Sequence, residues 1–484
     1  MYLKVLFVSH EVAPFAKVGG LADVAGSLPL ALKERGHDIR IAMPAYQMIL
    51  DDPKYPTRQI AKFEVTVGPN WTQPATLFEA DLHGVTVYLI GSDRWFTDAT
   101  ASQYVYLPGS DQHLFFCQAV LQLKDLLDWQ PDVIHANDWH TGFIPVLMRE
   151  GKDADCWERS ASIFSIHNLA YQGEFGIELL DQLGLSRNLF NPHQLETYGA
   201  VNFLKSGCVY ADRVNTVSPR YAEEIQTPAF GCRLEGLMVH LEHNGRLSGI
   251  LNGIDQHEFN PEIDPHLPAH FSAADVSGKR DVKRELLREL LFPDEPDVPL
   301  FGVVSRLSSQ KGMDVLLEMA PWLFDRPGRL IVQGLGDPWL ADRFRALEAH
   351  YPDHFRFIER FDASLAQRVY GGSDFFLMPS AFEPCGLGQL IAMRYGTVPV
   401  VRRTGGLANT VFEGENGYVF ERLNPEEFWS ATDRALRAFG TPAHEKLIEG
   451  AMATDSTWTR SAGAYEALYQ QALAARTQAL KVAV

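Results

Sequence analysis

Two rhythms of apolar residues alternate along the chain. Val5–Val8 is a short unbroken apolar run, β-branched and aromatic, of the kind that forms a strand buried on both faces. From Leu21 the apolar positions switch to helical spacing: Leu21, Val24, Ala25, Leu28 and Leu32. Gly36 stands where a helix C-cap is expected, and "HDIRIAMP" reads as the next strand. The pattern predicts a β–loop–α–β unit with "KVGG" at the junction of loop and helix.

The same alternation recurs in two zones, which predicts parallel α/β layers. The first zone contains "DVIHAND", "SIFSIHN" and "RVNTVSP". The second contains "LFGVVSRL", "RLIVQGLG", "FRFIERF", "FFLMPS" and "VPVVRRTGG". Between them runs "FNPEIDPHLPAHFSAAD", rich in proline and polar residues, and then a charged helical stretch near "KRDVKRELLREL". The boundary is placed near Asn252 to Phe259, so that residues 1–254 form one domain and 255–460 a second. The tail from 461 to 484 reads as one amphipathic helix with Tyr465, Leu468, Tyr469 and Leu473 on a stripe. The stripe does not say which domain the helix covers.

Composition narrows the function. The chain has 484 residues, too many for one ordinary core. A net charge of −18 argues against nucleic acid or an anionic membrane as the main partner, though a local positive pocket still admits an anionic ligand. Cys117, Cys156, Cys208, Cys232 and Cys385 are dispersed, with no C-x-x-C pair, as expected in a reducing compartment. No apolar run is long enough to span a bilayer, and the first residues enter a strand directly, so a cytoplasmic protein is expected.

Ligands of doubly wound sheets bind beyond the carboxyl ends of the strands. In the first zone those loops carry "KVGG", "NDWH" and "HNLAYQG". Gly19 and Gly20 permit close approach to backbone N–H groups at a helix start, and Lys17 adds positive charge. The alternative is a tight turn beside a solvated lysine. In the second zone "VSRLSSQKG" puts Arg306 and Lys311 on one loop with no acidic neighbour, which suits a diphosphate; the alternative is an exposed basic loop. "SAFEPCGLGQL" is expected to start a helix at Pro384, Cys385 and Gly386, with Glu383 just before it as an ionised carboxylate among free N–H groups. The alternative there is simple capping. His135, Asp138, His140, His167 and Asn168 could suggest a metal, but their spacing fits no metal motif, and a role in hydrogen bonding near a ligand is preferred.

Taken in order, "KVGGLADVAGSLP", "HANDWHTG", "HNLAYQG", "LNGIDQHEFNPEIDP", "VSRLSSQKGMDVL", "PSAFEPCGLGQL" and "VRRTGGLANTV" resemble the bacterial glycogen synthases and plant starch synthases, over essentially the whole chain. That resemblance implies the GT-B fold, an α/β architecture of two Rossmann-like domains facing across a cleft, with the terminal helix crossing back to the first. It implies transfer of glucose from a sugar nucleotide, usually ADP-glucose, to the non-reducing end of an α-1,4-glucan, with retention and without metal or other cofactor. Lys17, Gly19 and Gly20 then match the loop near donor phosphate and sugar. Arg306 and Lys311 match the pair that neutralises the diphosphate. Glu383, with Cys385, Gly386, Leu387 and Gly388, matches the motif that holds the glucosyl unit. His167 matches the residue beside the reactive face of the sugar, Asp138 and Asn252 match polar positions nearby, and Phe361 falls where the family places an aromatic near adenine. Three positions depart: Asn409 in place of aspartate, Gly388 in place of a hydroxyl residue, and "YLPGSDQHLFF", which lacks an Asn and an Arg. The rivals are a same-fold transferase with another acceptor, a non-catalytic glucan-binding or priming protein, and a phosphorylase-like enzyme; the last would need a longer chain and a cofactor lysine.

Overall fold

The computed structural model describes residues 2–97, 105–106 and 108–483. The chain divides into two compact units. The first comprises residues 1–217, 222–250 and 458–484, and the second 218–221 and 251–457. Asn252 thus belongs to the second unit.

The strands of the first unit's main sheet are β1 (Lys4–Val8), β2 (Asp38–Pro44), β3 (Arg58–Gly68), β4 (Trp71–Leu82), β5 (Val85–Gly91), β6 (Val133–Asn137) and β7 (Ala161–Ile166). After three short strands, β8 (Glu174–Phe175), β9 (Glu196–Thr197) and β10 (Ala200–Asn202), which pair only with one another, come β11 (Arg213–Thr216) and β12 (Leu247–Gly249). The main sheet runs β12-β11-β7-β6-β1-β2-β5-β4-β3. It is parallel except where β4 pairs antiparallel to β3 and β5. The chain winds from β1 towards β2, then returns to place β6 on the other side of β1. The reversal opens a crevice at the carboxyl ends of β1 and β6.

The apolar rhythm accounts for this layer. Val5, Phe7 and Val8 are fully buried in β1, and Leu21, Val24, Ala25, Leu28 and Leu32 are the buried stripe of helix Gly20–Glu34. Gly36 turns the chain out of that helix at φ +93°. The last helix, Trp458–Ala483, packs Tyr465, Leu468 and Tyr469 into the first unit.

The second unit carries β13 (Leu300–Val304), β14 (Arg329–Gln333), β15 (Phe355–Ile358), β16 (Phe375–Met378), β17 (Val398–Arg402) and β18 (Tyr418–Phe420). They form a wholly parallel sheet in the order β15-β14-β13-β16-β17-β18. Its reversal lies between β13 and β16. Phe301 and Phe375, both fully buried, stack across that pair at 5.0 Å. In the first unit "KVGG" and "NDWH" follow β1 and β6, the strands that flank the reversal, and "HNLAYQG" follows the neighbouring β7; in the second "SRLSSQKG" and "SAFEPCGLGQ" follow the flanking β13 and β16, with "GLGD" and "RTGGLAN" after their neighbours β14 and β17.

Candidate active site

In the first unit the loop after β1 enters helix Gly20–Glu34 through Gly19, its N-cap. A Cβ on Gly19 would meet nothing within 4 Å, so there is room beside this backbone. Lys17 is half in solvent and pairs with Asp23, Nζ to Oδ1 2.6 Å, one turn into the helix. Two of the loop's amides are not free. Oε2 of the buried Glu11 accepts from Val18 N–H at 2.7 Å and Gly19 N–H at 2.8 Å. Of the bare N–H groups expected at this helix start, those of Val18 and Gly19 are committed, and the ones left open are those of Gly20 and Leu21, which begin the helix.

The loop after β6 carries Asp138 at φ 56°, ψ 173°, a region that L residues rarely adopt. Its backbone is gripped from both sides, N–H to Ser165 O at 2.9 Å and C=O from Thr141 Oγ1 at 3.1 Å. Its Oδ1 accepts from His167 N–H at 2.7 Å. Burial pushes its carboxyl up to about 7, against the pull of the His167 and Asn168 amides and with help from the charge on Glu11. His167 Nε2 lies 2.9 Å from Asn137 Oδ1. Asn137 gives its amide N–H to Val8 O and His135 O, so its oxygen can only accept. The His167 proton therefore sits on Nε2, leaving Nδ1 as an acceptor. Burial holds this imidazole down to about 3, so it is neutral.

His135 does not join this group. It is fully buried within β6, 2.8 Å from Tyr469 Oη and 2.6 Å from Ser165 Oγ, and Asn215 donates to Tyr465 Oη at 3.2 Å. These bonds seat the terminal helix. His140 packs instead with His10 and His113, whose ring centres lie 4.9 to 5.2 Å apart, and burial lowers all three.

In the second unit Arg306 and Lys311 leave β13 together. Arg306 is exposed and makes no ion pair among the described residues. Lys311 is not unpaired, contrary to the reading of its loop in isolation. Its Nζ donates to Glu383 Oε2 at 2.6 Å, and Ser380 Oγ donates to the same oxygen at 3.0 Å. The partner arrives from the loop after β16. Gly312, at φ +67°, makes this possible, because a Cβ there would lie 1.9 Å from Pro379 O.

The helix after Glu383 also differs from expectation. It spans Gly388–Arg394, seven residues, with Leu387 as N-cap. Gly386 at φ +74° keeps Pro384–Leu387 in a turn, so no helix starts at Pro384 and no helix dipole acts on Glu383. The turn is buttressed by Gly405 and Gly406. Gly406 N–H donates to Glu383 O at 3.0 Å, and a Cβ on Gly405 would fall 1.8 Å from that same oxygen. Cys385 is buried, its thiol pushed up to about 12, and it accepts from the backbone N–H of Asn252. Asn252 Oδ1 is buried with no partner among the described residues, an acceptor left open beside Cys385. Phe361, beyond β15, is 68% exposed and its ring is open to a ligand. The "GLGDP" stretch supplies Asp337 as N-cap of helix Pro338–His350.

The family description "Starch synthase catalytic domain" fits residues 4–240, and "Glycosyl transferases group 1" fits 298–438. Glycogen synthase of Desulforudis audaxviator is 43% identical, covering 97% of both chains. Those of Moorella thermoacetica and Thermotoga maritima are 42% and 39% identical, over 99% and 98% of this chain and 98% and 99% of theirs. This chain belongs to the glycogen synthase family. The catalytic domain of starch synthase IV from Arabidopsis thaliana, solved with ADP and acarbose, superposes with a TM-score of 0.91 at 30% identity, over 98% of this chain and all of that one. The architecture is accordingly GT-B. Sucrose-phosphate synthase from Thermosynechococcus elongatus, at 19% identity and a TM-score of 0.58, shares the fold.

Against that family the departures have local explanations. Asn409 Oδ1 accepts from Arg220 N–H at 2.9 Å, a bond its amide makes without adding charge. At Gly388 a Cβ would press on Phe376 at 3.2 Å and Tyr370 Oη at 3.4 Å, so this pocket suits hydrogen. In the departing segment Gln112 and His113 line up with His10, His113 Nδ1 to His10 Nε2 3.0 Å and Gln112 Nε2 to His113 Nε2 3.3 Å; Leu107 lies outside the described residues. Glu11, Asp23, Asn137 and Ser380 were missed in the sequence. Only Asp23, six positions past the "KVGG" lysine, had a local signal.

Proposed function

We propose that this chain transfers a glucosyl unit from ADP-glucose to the non-reducing end of an α-1,4-glucan, with retention and without a metal ion. The observation that carries the reading is the Lys311–Glu383–Ser380 cluster beside the open Arg306 and the unsatisfied Asn252 Oδ1, all in the second unit. The donor's diphosphate draws Arg306 and Lys311 onto itself. Glu383, left with Ser380, turns its free lone pairs to sugar hydroxyls, and Asn252 Oδ1 takes another. As the glycosidic bond breaks, negative charge grows on the leaving diphosphate and the two cations stabilise it more than they did the ground state. The acceptor hydroxyl attacks from the same face, its oxygen forming the new bond to the anomeric carbon as the bond to the diphosphate breaks and its proton passing to the departing diphosphate oxygen. Phe361 offers an aromatic face to adenine. Within the first unit, Lys17 and the Gly20 N–H offer positive potential to an anion, His167 Nδ1 is an open acceptor for a sugar hydroxyl, and Asp138 fixes the His167 backbone.

The reading assigns the leaving-group charge to side chains, and among the described residues no group of three or more His, Cys, Asp or Glu is placed to hold a metal. No helix among them is long and apolar enough to cross a membrane. The test is incubation with labelled ADP-glucose or UDP-glucose, each with and without glycogen, before and after exhaustive EDTA treatment. ADP release that depends on glycogen, label at chain ends and indifference to EDTA are expected. Release driven by a small sugar acceptor instead, or activity lost to EDTA and restored by a divalent ion, would overturn it.

A further inference from the structure

Glu11 is 4% exposed, and among the described residues no lysine or arginine pairs with it. A buried carboxylate without a cation is costly unless hydrogen bonds replace its water. Here three do. Oε2 takes the N–H groups of Val18 and Gly19 at 2.7 and 2.8 Å, and Oε1 takes the hydroxyl of Tyr106. The Tyr106 ring lies flat on His140, centres 4.3 Å apart and 15° between planes. Burial and the charge of Glu11 keep the Tyr106 proton in place, so it remains a donor. One side chain therefore ties together the loop after β1, the segment ahead of helix Asp111–Leu127 and the loop after β6.

We propose that Glu11 is a positioning residue for donor binding: it holds the glycine loop in shape and turns an incoming phosphate away from Val18 and Gly19 towards Gly20, Leu21 and Lys17. The proposal rests on the function proposed above. With both inner amides committed to a carboxylate, a phosphate at that spot would meet negative charge and no free donor. The next N–H groups, those of Gly20 and Leu21, have no acceptor among the described residues. Lys17 sits beside them on Asp23, a surface pair that an arriving polyanion outcompetes.

Replacement separates shape from charge. In Glu11→Gln the amide oxygen still accepts from Val18 and Gly19, and the amide nitrogen can donate to Tyr106. Glu11→Ala leaves both backbone N–H groups buried and unpaired. The measurements are steady-state kinetics with ADP-glucose and glycogen, and calorimetric titration with ADP, on the full chain. Glu11→Ala is expected to lose about 100-fold in kcat/KM for ADP-glucose, the size of loss that follows a small misplacement of a binding group, with the KM for glycogen within a factor of about two. Glu11→Gln should recover to within about fivefold and bind ADP at least as tightly as the native chain, since a negative charge has gone. If Glu11→Gln is as damaged as Glu11→Ala, or the donor and glycogen constants shift together, the proposal is wrong. Should Glu11→Ala fail to fold, Tyr106→Phe frees Oε1 alone, and a donor KM unchanged there also overturns it. A native chain that binds ADP but does not use ADP-glucose refutes the function rather than this role, because the ADP titrations still rank the variants.

Discussion

Lys311 and Glu383 show how one bond changes what a residue is expected to do. Read within its own loop, Lys311 is a free cation. In the structure its charge is spent on Glu383; under the proposed function a diphosphate competes for it. Removing the lysine therefore does two things at once: it deletes a donor to the leaving group and leaves Glu383, 5% exposed, with Ser380 alone. Lys311→Ala should lose roughly a hundredfold to a thousandfold in turnover, the usual cost of one such electrostatic donor. The double variant Lys311→Ala/Glu383→Ala should fall well short of the product of the single losses, because the two side chains act as a unit. Steady-state kinetics of the four chains checks this, and simple multiplication of the losses would separate the pair. At this scale the sequence was legible where a residue's type carries its role. Arg306, Lys311 and Glu383 were singled out from charge and loop position, and the structure brings Lys311 and Glu383 together. Glu11 was not, because its partners are backbone amides seven and eight positions away and a tyrosine 95 away. Nor was the bond between Lys311 and Glu383, 72 positions apart.

The elements that hold these residues are set by glycines where two backbones touch. Gly405, at φ +45°, would carry a Cβ 1.8 Å from Glu383 O, whereas Gly414, at φ +75°, has nothing within 4 Å of its Cβ position. Both alanine variants bear the strain of a left-handed residue, about 1–2 kcal/mol, but only Gly405→Ala must also displace the turn that aims Glu383. Urea titration should show Gly414→Ala losing about that strain and keeping full turnover. Gly405→Ala should lose more, and under the proposed function turnover should fall at least about tenfold even where the chain is folded, since a misplacement of about 1 Å in a group that holds the sugar is enough. Equal behaviour of the two would mean the contact is relieved elsewhere. Strands flanking the two reversals were legible because they are continuous apolar runs bounded by polar loops, as in β1, β13 and β16. The antiparallel edge β3–β4 was not, since its alternation is broken by two register shifts. The helix at Gly388 was displaced in the reading because proline and free N–H groups at Pro384–Gly386 imitate a helix start, and only the positive φ of Gly386 rules it out.

Taken across the molecule, the burial of imidazoles is uneven, and it gives stability a sign with pH. His10, His113, His135, His140 and His167 all lie in the first unit and are all lowered from 6.5, three of them to about 3, with burial as the leading cause. The folded chain keeps them neutral while the unfolded chain takes up protons below 6.5, so their contribution is complete above that pH and is lost as pH falls towards 3. Asp138 works the other way. Raised to about 7 from 3.8, it stays protonated in the folded chain between those values and favours folding at their lower end. Five histidines less one aspartate leave about four protons taken up on unfolding near pH 5, and His37, lowered by burial in the same unit, adds to the same side; each proton is worth about 1.4 kcal/mol per pH unit. Urea unfolding of the first unit, followed at pH 7.5, 6.5 and 5.5 at fixed ionic strength, should therefore show stability falling steeply below 6.5 and nearly flat above it. His113→Phe should remove about one proton from that slope, since the ring stays apolar and the titration goes. A slope that ignores this substitution would mean that His113 is charged in the folded chain, and with it that the His10–His113 contact is an ion-bearing one.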